Sequence, residues 1–133
     1  MGSDIGPGSG GGAGRGDRPE FDLEERTARF GEAVIGFAKR VPVNEVTAPL
    51  ISQLVRAASS VGANYCEADE AGSGKEFRYR IGVCKREARE TKHQIRMVVA
   101  AEHDLRDAAR PLWQEAKELT LIFAAILRRR DGR

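Results

Sequence analysis

At 133 residues the chain has room for one domain, and a formal charge of +2 is too near zero to assign it a partner by net charge. Two cysteines, Cys66 and Cys84, sit in apolar helical contexts without a CxxC or a Cys/His cluster, which excludes a disulfide framework or a zinc ribbon and leaves buried free thiols in a reducing compartment. No run is both long and apolar enough to span a bilayer, since "LTLIFAAIL" is short and flanked by charges, so the expectation is a soluble cytoplasmic protein.

The first twenty residues, "MGSDIGPGSGGGAGRGDRPE", are glycine-rich with few apolar side chains and read as a disordered tail (1–20) ahead of one domain (21–130). They lack the apolar core of a signal peptide, and Gly6 stands where a myristoylation motif needs Ser or Thr. The first helix is expected to open at Asp22, which forms a capping-box pattern with Glu25. It carries Leu23, Phe30, Val34, Phe37 and Val41 at helical spacing down to a stop at Pro42. The second is expected from an N-cap at Thr47 to about Ala71, with Leu50, Leu54, Ala57, Val61 and Tyr65 along one side. Its small residues, Ala57 to Ser60 with Gly62, Ala63 and Ala68, suit the close approach of another helix.

"EAGSGKEF", residues 70–77, resembles part of a phosphate-binding loop, but Asp69 occupies the place of its first glycine and Glu76 that of its magnesium-binding hydroxyl, and the flanks read as helix. Ser73 with Glu76 instead makes a capping box for a third helix, with Gly72 as the stop of the second. That third helix is expected to reach about Glu102 with Phe77, Ile81, Cys84, Ala88, Ile95 and Val99 inward. A fourth is expected to open at Pro111 and to carry Trp113, Ala116, Leu119, Phe123 and Leu127 before "RRR" at 128–130, with "HDLRDAAR" as an extra turn or two between them. No segment alternates with period two and the links are short, so the fold class is all-α, an antiparallel up-down four-helix bundle.

At roughly 100° per residue, Arg78, Lys85, Arg89, Lys92 and Arg96 fall within an arc of about 60° on the third helix, with Glu76, Glu87 and Glu90 directed elsewhere. A row of this kind is suited to a phosphate backbone; the alternative is a solvated face or one paired with acids of a neighbour. On the second helix Gln53, Arg56, Ser60, Asn64 and Glu67 form a polar row, with Glu87 and Glu90 as candidate partners of Arg56 in a structural seam that fixes register. No nucleophile accompanies these groups, so no catalytic residue is assigned. Glu90 and His93 supply one Glu-x-x-His motif where a di-iron bundle needs two, so no metal or other cofactor is assigned either.

Three stretches carry a family resemblance: "DLEERTARF", "QLVRAASSVGANYCEA" and "SGKEFRYRIGVCKREARETKHQIRM". In order and spacing they resemble the small four-helix-bundle proteins encoded in intervening sequences of bacterial large-subunit ribosomal RNA genes, over about Phe21 to Leu127. The chain departs from that pattern at His93 and Gln94, where the family has an aromatic pair, and at Arg86, where it has Glu. The resemblance implies a ring-like homopentamer without catalytic activity. A related branch, the accessory protein of diversity-generating retroelements, implies a basic surface that works with RNA and a reverse transcriptase. The functional expectation is a noncatalytic, oligomeric, RNA-associated scaffold using the basic face of the third helix, with no membrane or small-molecule substrate. The alternative is a protein-interaction module with no nucleic-acid role.

Overall fold

The computed structural model describes residues 22–132; the proposed tail lies outside them. Among the described residues there are four α-helices and no strand: α1 (Leu23–Ala38), α2 (Thr47–Asp69), α3 (Gly74–Ala101) and α4 (Arg106–Gly132), with a 3-10 turn at His103–Leu105 between the last two. Each helix packs on the next in sequence, and α1 returns to touch α4. Their apolar stripes meet in one core, in which Val34, Leu54, Val61, Ile81, Ala88, Val98, Leu119 and Phe123 are wholly buried. Each such aliphatic or aromatic side chain of Val size or larger contributes roughly 1.5–3 kcal/mol.

The helix limits differ from the sequence expectation at four places. α1 ends at Ala38, before Pro42. Pro42 has no N–H to offer the Ala38 carbonyl, and Val41 donates to that carbonyl instead at 3.1 Å, tightening the chain out of the helix while burying Val41 in the core. Thr47 does not cap α2. The side-chain oxygen of Asn44 accepts from the amides of Val46 and Thr47 at 2.9 Å each, and Thr47 Oγ1 accepts from the Asn44 amide at 2.9 Å, a reciprocal box one turn earlier than expected. Gly72 does not take the left-handed backbone of a helix stop. α2 ends at Asp69, where the Glu70 amide is shared by the Cys66 and Glu67 carbonyls. α4 opens at Arg106, with Pro111 inside it. The missing N–H at Pro111 leaves the Asp107 carbonyl without its helical donor on an exposed turn, open to hydration.

Ser73 does cap α3: its hydroxyl accepts from the Glu76 amide at 3.1 Å, while Glu76 reaches back to the Gly72 amide at 3.4 Å. The small residues of α2 receive α1. A Cβ added at Gly62 would stand 3.2 Å from Thr27 Oγ1, and one at Gly31 would stand 3.6 Å from the Ala58 carbonyl oxygen. Thr27 is itself buried, its hydroxyl donating to the Leu23 carbonyl at 2.7 Å.

Candidate nucleic-acid interface

The α3 periodicity that buries Ile81, Cys84, Ala88, Ile95 and Val98 turns Glu87 toward α2 and Lys92 toward α4. Toward α2, Arg56 forks between two carboxylates: Nη2 donates to Glu90 Oε2 at 2.7 Å and Nη1 lies 3.3 Å from Glu87 Oε1. The first is a hydrogen bond. The second is a charge contact without hydrogen-bond geometry, and that Glu87 oxygen is buried with no other partner. The hydrogen bond to Glu90, with the charge of Glu87 beside it, holds the Arg56 guanidinium above its already high ordinary pKa despite partial desolvation. Asn64 joins the same helix pair one level away, accepting from Arg80 Nη1 at 3.0 Å and donating to Ser60. Glu67 is exposed and makes no ion pair among the described residues, so it stands apart from this seam.

Arg80 was not singled out in the sequence, because it falls on the side of α3 away from the basic row, toward α2. Its Nε is buried without a partner. A second unforeseen polar junction joins α1 to α4: Arg26 presents Nε and Nη2 to the two oxygens of Glu115 at 2.7 and 2.8 Å, and Nη2 also reaches Glu118 at 3.0 Å. The Glu115 hydrogen bond raises the Arg26 pKa, desolvation working against it.

On the opposite flank of α3 the five cations of the row divide. Arg78 donates to the Leu127 carbonyl of α4 at 3.1 Å. Lys85 and Arg89 line an open cleft of about 610 Å³ with Gly82, Arg86, Glu90 and His93. Lys92 leans over α4, its ammonium 5.3 Å from the Trp113 ring centre, with Lys117 at 5.7 Å from the same ring. Arg96 shares a smaller, mainly apolar cleft of about 210 Å³ with Ile95, Val99, Ala109, Trp113, Arg106 and Arg110. The row therefore continues across the helix boundary: α4 adds Arg106, Arg110 and Lys117 at helical spacing around its tryptophan. Sequence reading could not place Arg106 and Arg110 there while α4 was expected to begin at Pro111. The acid nearest these guanidiniums in sequence, Asp107, is exposed and lies 3.5 Å from Arg110.

Among the described residues no group of three or more His, Cys, Asp or Glu is placed to hold a metal, and no helix is long and apolar enough to cross a membrane. The Gly72–Lys75 stretch is a helix junction, with its Ser hydroxyl committed to a backbone amide.

Residues 20–125 match the family model described as 23S rRNA-intervening sequence protein. The chain belongs to that family. Among solved structures, a protein of unknown function from the S23 ribosomal protein family of Bacteroides thetaiotaomicron is similar with a TM-score of 0.71 at 23% identity, covering 79% of this chain and 97% of that one. At that identity the likeness concerns the fold. No curated protein matches the chain. The "GANYCEA" and "REARET" stretches quoted for the resemblance meet in the structure. Asn64, Ala68, Glu87, Ala88, Glu90 and Thr91 all lie in or beside the α2–α3 contact, where Thr91 is buried and returns its hydroxyl to the Glu87 carbonyl at 2.8 Å.

Proposed function

We propose that this member of the intervening-sequence family is a noncatalytic cytoplasmic scaffold that binds structured RNA along the α3–α4 face. It would do so as a ring-like homopentamer of antiparallel up-down four-helix bundles. The observation that carries the reading is the continuation of Arg78, Lys85, Arg89, Lys92 and Arg96 into Arg106, Arg110 and Lys117. Arg56 meanwhile pairs with Glu87 and Glu90, so their charge is partly committed toward α2, although Glu90 also lines the cleft of Lys85 and Arg89. Cations gathered on one face act on a phosphate backbone through counterion release, without base specificity. Repeating the face around a ring would let weak sites act together through effective concentration. The name of the family ties its genes to ribosomal RNA, which makes an RNA partner the reading of first resort. The resemblance to retroelement accessory proteins extends the same reading to an RNA held by a reverse transcriptase.

Two measurements test it. Light scattering on the purified chain is expected to give five times the chain mass; a monomer would remove the ring. Binding of a structured ribosomal RNA fragment is expected to weaken steeply with salt, and Arg89→Glu with Lys92→Glu to lower the log-log salt slope by about one to two. Binding indifferent to salt, or unchanged in that double variant, would return the basic face to the role of a solvated surface and favour a protein-interaction module.

A further inference from the structure

We infer that the cleft floored by Trp113 seats an unpaired base of single-stranded RNA, with Arg96, Arg106 and Arg110 holding the flanking phosphates; this rests on the RNA reading above and names the form of RNA. Three observations converge on it. The cleft combines an apolar floor, Ile95, Val99 and Ala109 beside the indole, with three guanidiniums at its rim. Its volume of about 210 Å³ falls below the ~300–1,000 Å³ of sites that enclose a drug-sized molecule, which suits a flat group laid against a ring better than an engulfed ligand. Lys92 and Lys117 hold ammoniums over the indole at 5.3 and 5.7 Å, so its π-face is reached by flexible side chains that a stacking base would displace.

The charge around the ring selects the occupant. Five cations, Lys92, Arg96, Arg106, Arg110 and Lys117, surround it against the exposed carboxylate of Asp107. An anionic chain that also carries flat apolar groups satisfies both parts of the surface, and a single-stranded nucleic acid is such a chain. A duplex satisfies only the charge, because its bases are stacked on one another and its edges are recessed. When a base takes the indole face, the flexible lysine stems allow their ammoniums to swing from the ring to the adjoining phosphates.

Trp113 is the chain's only tryptophan, so its fluorescence reports this cleft alone. The intact protein is titrated with oligoadenylate RNA, with a blunt RNA duplex of matched charge and with inorganic polyphosphate, following indole emission and, separately, anisotropy of labelled RNA. Oligoadenylate is expected to quench the indole strongly, whereas duplex and polyphosphate bind without comparable quenching. Trp113→Leu is expected to weaken the single strand about tenfold and leave the duplex unchanged. Arg110→Glu, on an exposed turn, is expected to weaken both RNAs, and with the wild-type quenching it decides the question should Trp113→Leu not fold. Salt-dependent RNA binding without quenching, or an unchanged affinity in Trp113→Leu, overturns the base seat while leaving the basic-face reading in place. Absence of binding by every RNA overturns both. A fall in oligomeric mass on Trp113→Leu assigns the cleft to a second copy of the chain, and competition by polyglutamate equal to that of RNA assigns it to an acidic peptide; either overturns the proposal.

Discussion

Cys84 is wholly buried on α3 with its thiol 3.5 Å from the Val61 carbonyl of α2, and burial raises its pKa from an ordinary 9.0 to about 12. The folded chain therefore keeps a proton that the unfolded chain releases between about pH 9 and 12. The stability tied to this thiol is fully present below pH 9 and is lost as pH rises through that window, by up to about 1.4 kcal/mol per pH unit. Denaturation midpoints measured across that range are expected to fall more steeply for the wild type than for Cys84→Ala; parallel curves would contradict the assignment. Glycines make a contrast at the same scale. Gly62 faces Thr27, whose hydroxyl is held by the Leu23 carbonyl and is not free to yield, so Gly62→Leu overpacks the α1–α2 contact and is expected to cost about 1–3 kcal/mol. Gly36 is exposed in the last turn of α1 with nothing near its missing Cβ, and Gly36→Ala is expected to stabilise by about 0.5 kcal/mol in urea titrations.

Between elements, the α2–α3 seam concentrates what polar chemistry the core admits. Arg56 is half exposed, so its Glu90 arm is screened and worth at most about 1 kcal/mol, whereas Glu87 lies in the protein with one oxygen lacking any other partner. Arg56→Ala strands that carboxylate and is expected to cost about 1–2 kcal/mol. Glu87→Gln, which removes the charge instead of its partner, is expected to cost less than half as much; the two compared by chemical denaturation give the answer. The seam was visible in the sequence as a polar row beside an apolar one on α2, with Glu87 and Glu90 off the stripe of α3. The Arg26 junction was not, because its partners are 89 and 92 residues away and neither helix marks the position by itself. Existence of the four helices was legible from period and caps, but their ends turned on a choice between nearby groups that local preference alone does not decide. Asn44 outcompeted Thr47 by bonding two amides, and Pro111 was tolerated inside α4 because its orphaned carbonyl faces solvent. That error hid the cations of α4, and with them the setting of Trp113.

At the scale of the whole molecule the segregation of charge matters more than the net value of +2. α3 meets α2 with carboxylates and α4 with cations, so the same helix secures the bundle on one side and offers a surface on the other. Family membership and fold were accessible from the quoted motifs, one of which opens α1 while the other two carry the polar and small residues of the α2–α3 contact. The proposed assembly rests on resemblance and the proposed RNA partner on resemblance together with the basic row, since an exposed face leaves little mark on a single sequence.

The fork of Arg26 onto Glu115 and Glu118 joins the first helix to the last, whereas the remaining helix contacts mostly join neighbours in sequence. Contacts local in sequence form early at small loop-closure cost, and a closure spanning some 89 residues comes late. The α1–α4 closure is thus expected to form late, and α1, held mainly by α2, to be the element that leaves first. Native-state hydrogen exchange is expected to show amides in the middle of α1 opening at lower free energy than those in the middle of α3, and Arg26→Ala to widen that gap while leaving α3 protection almost unchanged. Equal protection in the two helices would mean that the bundle opens only as a unit.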